Sequence, residues 1–160
     1  MEPKKIETDQ DMELTLDFTF HAPIELVFDT LTQPEHLKHW NCPPNMDVTF
    51  AESTLEVGGE YRIGMTMREG DGTEMMFIGK YLEINRPDLL SYTQSFSAGH
   101  DTPLTPETTI TIKLNQEGSE TKLRFNQTGF ANKRSFQGAR VSWPTIYDKL
   151  DAYIQSIAEA

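Results

Sequence analysis

The sequence predicts a single α+β domain, and three observations support this prediction. Through the middle of the 160-residue chain, apolar residues alternate with polar ones, which is typical of half-buried β-strands. Apolar residues recur at helical spacing in two short segments near the start and in one long segment at the end. A run of antiparallel strands flanked by helices indicates the α+β class. We expect residues 12–160 to form one domain, preceded by a flexible polar segment at residues 1–11.

The first strand is predicted to be followed by two short helices. Residues 14–20 alternate Leu and Phe with Thr and Asp, as in a half-buried strand. Pro23 suits the first turn of a helix, and residues 24–31 repeat apolar side chains at helical spacing. The pattern restarts at residues 34–40 and predicts a second helix, which the Cys-Pro-Pro segment 42–44 ends.

The rest of the chain predicts about six more strands and a long C-terminal helix. Glycine-containing turns separate the strands, and a long loop spans residues 97–106. The final helix is indicated by apolar residues at helical spacing over residues 143–157, and Pro144 fits only near its start or at a kink. The predicted strand segments are 48–50, 61–67, 75–84, 90–96, 110–114 and 123–125.

The composition favours a protein that interacts with neither nucleic acids nor membranes. Its 14 basic and 25 acidic residues give a net charge of −11, which repels phosphate backbones and anionic lipids. The single Cys42 allows no internal disulfide, which suits a reducing compartment. No secretory leader and no apolar run long enough to span a membrane is present, so we expect a cytoplasmic protein. Nine Phe, five Tyr, two Trp and seven Met supply much of the apolar bulk, and such side chains line cavities as readily as cores.

Five local motifs resemble one protein family. They are residues 20–28, 32–40, 57–62 and 79–93, and Trp143 together with residues 150–154. In this order they resemble the START-like (SRPBCC) helix-grip superfamily, and within it the homologues of the activator of the 90-kDa heat-shock protein ATPase. The resemblance implies a Bet v-like fold, in which a curved antiparallel sheet of about six to seven strands grips a long C-terminal helix. It also implies an apolar cavity between them. Members bind hydrophobic small molecules, and eukaryotic relatives stimulate a chaperone ATPase.

The resemblance implies that inward-facing aromatic and Met side chains bind a ligand in that cavity. The polar side chains expected to orient the ligand are those of Gln94, Gln127, Tyr92 and Arg62. An ordinary packed core explains the same apolar pattern, and the two Gln side chains either bond to each other or to Tyr hydroxyls, or contact a ligand. The full set of candidate ligand-binding residues is Phe28, Trp40, Tyr61, Arg62, Met65, Met67, Phe77, Tyr92, Gln94, Phe96, Gln127, Trp143 and Tyr147.

Other chemistry finds less support in the sequence. His36, His39 and Cys42 have a spacing that could suit a metal, but Pro43 and Pro44 fix Cys42 outside the helix and no further ligand cluster is present. We therefore predict no metal, no cofactor and no catalytic residue. A small basic cluster precedes the final apolar segment and is expected to face water. It consists of Lys133, Arg134 and Arg140.

The function predicted from the sequence is non-catalytic binding of a hydrophobic or amphipathic small molecule by a monomer or homodimer. The alternative is a chaperone-associated regulator in the stress response, resembling the heat-shock ATPase activator. An enzyme is the third hypothesis, and it requires ionisable side chains that converge inside the cavity.

Overall fold

The computed structural model describes residues 12–99 and 102–158. The segment 1–11, predicted to be flexible, lies outside the described residues. None of the described helices is long and apolar enough to cross a membrane. The elements in chain order are β1 (Leu14–Phe20), α1 (Ile24–Thr32), α2 (Pro34–Leu37), β2 (Met46–Ser53), β3 (Glu60–Met67), β4 (Met75–Asn85), β5 (Leu89–Ser97), β6 (Thr108–Glu117), β7 (Glu120–Thr128) and α3 (Lys133–Ala158).

The seven strands form one antiparallel sheet in the order β1-β7-β6-β5-β4-β3-β2. The first strand closes the sheet against the last one, with Leu14 opposite Gln127 and Phe20 opposite Thr121. All other neighbours are consecutive in the chain, so hairpins connect them, and β1 and β2 are the two edges. The sheet curls around the long helix α3. The predicted α+β helix-grip fold, with six to seven strands and two short helices after the first strand, is confirmed.

Aromatic contacts hold α3 against the concave face of the sheet. Tyr147 of α3 is fully buried, and its ring centroid lies 4.6 Å from Phe18 of β1 and 5.7 Å from Phe125 of β7. Trp40, which follows α2, stacks on Tyr147 at 5.8 Å and donates its indole N–H to the Thr30 carbonyl at 2.8 Å. Burial of each such side chain is worth about 1.5–3 kcal/mol. These contacts join the two short helices, the sheet and α3 into one core.

The helix α3 begins ten residues before the first apolar residue of the predicted pattern. It spans 26 residues from Lys133, and Asn132 caps its start by accepting the Ser135 backbone N–H at 2.9 Å. Pro144 therefore lies in the helix interior rather than near its start, where it removes the backbone N–H that would bond to the Arg140 carbonyl. The sequence missed this extension because residues 133–142 are mostly small or polar and carry little apolar periodicity.

Three tyrosines form a cluster on the sheet where β3, β4 and β5 meet. Tyr61 lies 5.8 Å from Tyr81 and 5.2 Å from Tyr92, measured between ring centroids. The Tyr61 hydroxyl reaches across β4 to the Thr93 carbonyl of β5 at 3.0 Å. Gly79 makes this crossing feasible, because a Cβ there would overlap the Thr93 carbonyl oxygen and lie 2.6 Å from the Tyr61 ring. The tyrosine cluster thus depends on a glycine, which has no side chain, at position 79 of β4.

Gly79→Ala should lower the free energy of unfolding by at least about 2 kcal/mol, because the added methyl group has to displace backbone. Urea denaturation followed by circular dichroism measures the change. The matched control is Gly138→Ala in α3, where the added Cβ meets no atom within 4 Å. This control should raise the stability by roughly 1 kcal/mol, as expected for a helical glycine. Equal stabilities of the two variants would contradict the close approach at Gly79.

The buried tyrosines also set how the fold responds to alkaline pH. Burial, reinforced by neighbouring tyrosines, raises the pKa of Tyr61 and Tyr147 well above the ordinary value of 10.0. Burial likewise raises the pKa of Tyr92 and of Tyr81, in the latter case against a hydrogen bond from Ser53 that lowers it. The folded state therefore keeps protons that the unfolded chain releases above pH 10.

We expect the stability to be unaffected by these four groups below about pH 10 and to fall steadily above it. A pH titration that follows tyrosinate absorbance and circular dichroism together tests this expectation. The tyrosinate signal of the buried groups should rise only as the fold is lost. A full tyrosinate signal near pH 10 with unchanged circular dichroism would contradict the burial of the cluster.

Candidate functional site

A pocket of about 340 Å³ opens between the N-terminal half of α3 and the sheet. One wall is the helix face and the other is formed by the ends of β4, β5, β6 and β7 with their adjoining loops. Its lining residues are Pro43, Phe77, Gln94, Ser95, Phe96, Thr105, Pro106, Thr108, Gln127, Phe130, Ala131, Ser135, Gly138, Ala139, Ser142, Trp143 and Ile146.

The pocket exists because α3 changes the size of its side chains along one face. The first three turns present Ser135, Gly138, Ala139 and Ser142, which are spaced three or four residues apart and so share a face. From Trp143 onward the same side of the helix carries large buried residues that fill the space to the sheet. A Cβ added to Gly138 would meet no atom within 4 Å. The helix and the sheet are therefore packed together at one end and separated at the other.

Aromatic rings form much of the pocket wall. The Phe77 ring lies 5.6 Å from Phe96 and 6.0 Å from Trp143, and its plane is inclined by only 22° to that of Trp143. Phe130, which follows β7, is buried and closes the side nearest the start of α3. Rings of this kind offer flat, rigid apolar surfaces with a preference for offset or edge contacts.

A chain of buried hydrogen bonds lies at the base of the pocket. The Trp143 indole N–H donates to Gln127 Oε1 at 2.8 Å, and Gln127 Nε2 donates to the Thr108 hydroxyl at 2.9 Å. The Thr108 hydroxyl in turn donates to the Gln94 backbone carbonyl at 3.1 Å. Because indole is a donor only, Trp143 fixes the orientation of the Gln127 amide. The sequence left two roles open for Gln127, and these hydrogen bonds give it the structural one rather than contact with a ligand.

Gln94 is in a different situation from Gln127. Its side-chain oxygen lies 3.0 Å from the Tyr61 hydroxyl, which is also 3.0 Å from the Thr93 carbonyl and has a single hydrogen to donate. Its side-chain nitrogen makes no hydrogen bond to any residue of 12–99 or 102–158, and Gln94 lines the pocket. Whichever way the amide is turned, one polar atom bonds to Tyr61 and the other is left for the pocket.

The candidate residues from the sequence divide into three groups. Five of them line the pocket: Phe77, Gln94, Phe96, Gln127 and Trp143. Six more belong to the core or, for Tyr92, pack against it, and do not line the pocket: Phe28, Trp40, Tyr61, Met65, Tyr92 and Tyr147. The remaining two, Arg62 and Met67, are on the outside.

Arg62 and Met67 require correction. Arg62 alternates with the buried Tyr61 and Ile63, so its side chain points to the opposite face of β3, where it is 45% exposed and 3.9 Å from Glu60. The prediction that Arg62 faces the cavity is wrong, because it ignored this alternation. Met67 is the last residue of β3 and is 41% exposed, so the prediction that it lines the cavity is wrong as well.

The sequence missed most of the helix side of the pocket. Ser135, Gly138, Ala139 and Ser142 share one helical face with Trp143, and this spacing is the signal that could have found them. It becomes visible only once the helix is known to start at Lys133. The loop residues Thr105 and Pro106 carried no signal at all, because loop conformation sets their position.

The residues considered as metal ligands take part in packing. His36 Nδ1 lies 2.6 Å from the Tyr153 hydroxyl, and the His39 ring stacks on Tyr153 at 4.9 Å. Cys42 is buried, and Lys149 Nζ donates to its sulfur and to its carbonyl, each at 3.1 Å. In the part of the chain that the structure describes, no group of three His, Cys, Asp or Glu side chains could hold a metal ion.

Comparison with known proteins identifies proteins of the same architecture. No curated protein matches the chain. The solved structure of protein NE0264 from Nitrosomonas europaea is 25% identical with a TM-score of 0.78, covering 97% of this chain and 100% of that one. A protein from Arthrobacter aurescens is 22% identical with a TM-score of 0.81, covering 94% of this chain and 90% of that one. The AHSA1 protein SPO3351 from Silicibacter pomeroyi is 16% identical with a TM-score of 0.78, covering 92% of this chain and 99% of that one. The last two likenesses concern the fold alone.

The family comparison extends over most of the chain. Residues 21–155 match the family described as Activator of Hsp90 ATPase homolog 1-like protein. The match runs from just before α1 to the last turns of α3, so it includes every element except β1. It confirms the resemblance that the five sequence motifs indicated. The chain therefore belongs to the Activator of Hsp90 ATPase homolog 1-like protein family.

Proposed function

We propose that this protein binds a hydrophobic or amphipathic small molecule in the pocket between α3 and the sheet. The observation that carries the proposal is the pocket-lining face of α3 that bears Gly138, where the helix carries small side chains and an added Cβ would meet no protein atom within 4 Å. A space of about 340 Å³ is within the range of small-molecule sites, about 300–1,000 Å³.

The lining supplies the means of binding such a molecule. Apolar surface buried against Phe77, Phe96, Phe130 and Trp143 contributes about 25 cal/mol per Å². The side-chain amide of Gln94 and the hydroxyl of Ser142, which also line the pocket, would orient the ligand. A ligand site of mostly apolar walls with a few polar groups is the common arrangement for small molecules.

The proposal is for binding without catalysis, in a cytoplasmic monomer or homodimer. General acid-base chemistry needs ionisable side chains beside the substrate. The pocket residues within 12–99 and 102–158 include none, since their polar members are Gln, Ser, Thr and Trp. Such a lining favours holding or carrying a molecule over converting it.

A chaperone-regulating role is the second candidate, and the family description is the observation that favours it. In that case, the purified protein should stimulate the ATPase of an Hsp90-type chaperone, and blocking the pocket should leave the stimulation unchanged. The two functions are therefore separable with the same pocket variant. Small-molecule binding is favoured if the pocket variant loses ligand binding and neither the variant nor the unmodified protein stimulates the ATPase.

Filling the pocket from the helix should abolish ligand binding. Gly138 lines the pocket and a Cβ added there meets no atom within 4 Å, so the fold should tolerate Gly138→Phe and we expect its ring to occupy the pocket. The neutral fluorescent probe N-phenyl-1-naphthylamine should bind the unmodified protein saturably, at one site, with increased emission. Gly138→Phe should weaken this binding at least about tenfold, as expected for loss of more than 1.4 kcal/mol of apolar contact.

The matched control is Val141→Phe, which places the same side chain on the same helix at a position that is 70% exposed and outside the pocket. This variant should bind the probe as the unmodified protein does. Circular dichroism and thermal unfolding establish that both variants are folded. Undiminished binding by a folded Gly138→Phe protein would show that the probe binds elsewhere and would refute the proposal.

A further inference from the structure

We infer that the pocket selects uncharged, flat ring compounds whose polar group hydrogen-bonds to the Gln94 amide. This inference rests on the proposed function and narrows it to a class of ligand. Three features of the pocket support it independently. They are the aromatic walls, the uncharged lining, and the side-chain polar atom of Gln94 that has no partner among the described residues.

The ring walls favour a flat ligand. Phe77 and Trp143 are nearly parallel, and Phe96 lies beside Phe77, so their faces and edges offer contacts that suit another ring. A ring system also loses little conformational entropy when it is bound. A flexible alkyl chain of the same apolar area has many rotamers to lose and therefore binds less well in a site without a matching tunnel.

The charge distribution disfavours an ionised ligand. None of the described residues that line the pocket is ionisable, so a buried ionic group would lose its hydration without gaining a counter-charge. The net charge of −11 adds a repulsive field for anions. The basic residues Lys133, Arg134 and Arg140 are exposed and are not part of the lining.

Gln94 supplies the polar end of the site. Only 9% of the residue is exposed, and one of its two side-chain polar atoms has no partner among the described residues. That atom is accessible from the pocket, so a ligand there can form a hydrogen bond with it without displacing a protein partner. Because the amide can present either its NH₂ or its oxygen, a hydroxyl group, which both donates and accepts, suits it best.

Three ring probes of similar size separate these contributions. Displacement of N-phenyl-1-naphthylamine by 2-naphthol, naphthalene and 2-naphthoate measures their affinities at pH 7, where only the naphthoate is charged. We expect 2-naphthol to bind at least about tenfold more tightly than either of the others. Decan-1-ol, an uncharged chain alcohol, should also bind at least about tenfold more weakly than 2-naphthol.

Gln94→Leu tests the role assigned to the amide. The Tyr61 hydroxyl still donates to the Thr93 carbonyl in this variant, so the tyrosine cluster keeps a hydrogen bond. The variant should lose the preference for 2-naphthol over naphthalene while its affinity for naphthalene stays the same or rises. This second readout separates recognition by Gln94 from a general loss of structure.

The outcomes distinguish this inference from the function on which it rests. If the fluorescent probe fails to bind, the proposed function is wrong and the inference falls with it. If the probe binds but 2-naphthoate, naphthalene or decan-1-ol matches 2-naphthol, the pocket binds small molecules without the proposed selectivity. An unchanged preference for 2-naphthol in Gln94→Leu would overturn the assignment of the polar contact.

Discussion

The structure depends on how a single helix covers the concave face of a seven-stranded sheet. One helix is about 10 Å wide, so the side chains of α3 cannot fill the whole concave face of the curled seven-stranded sheet. α3 meets this constraint by packing large residues from Trp143 onward and leaving small ones before it. Tyr147, held between Phe18, Phe125 and Trp40, is the centre of the packed half.

Trp143 marks the boundary between the packed and the open halves of this interface. Its ring contacts Phe125 on the core side at 5.1 Å and Phe77 on the pocket side at 6.0 Å. Its indole N–H begins the buried hydrogen-bond chain through Gln127 and Thr108 to the strand that carries Gln94. These bonds hold the helix at a fixed distance from the sheet at the point where apolar packing stops. The pocket therefore has a rigid base although its walls are made by two different layers.

The sequence predicted the strands, the helix order and the family, because period-two and helical patterns report which faces are buried. The prediction failed where side chains are small, where the alternation of a strand was not applied, and where a role depends on partners distant in sequence. The first ten residues of α3 have little apolar periodicity, so the helix face that forms the pocket was overlooked. Arg62 was placed inward against the alternation of its own strand. The roles of Gln94 and Gln127 could not be separated, since they depend on partners in β3 and α3 that only the folded chain brings together.

Two residues of this protein depart from what stability alone favours, and both face the same space. Gly138 lies inside a helix, where an alanine is favoured by about 1 kcal/mol and would meet no steric obstacle. Gln94 lies on an otherwise largely apolar wall and presents to the pocket a side-chain polar atom that has no partner among the described residues. Sites that break local rules without a local gain are commonly those under functional constraint. The coincidence of both departures at one pocket supports a binding role on grounds independent of the family to which the chain belongs.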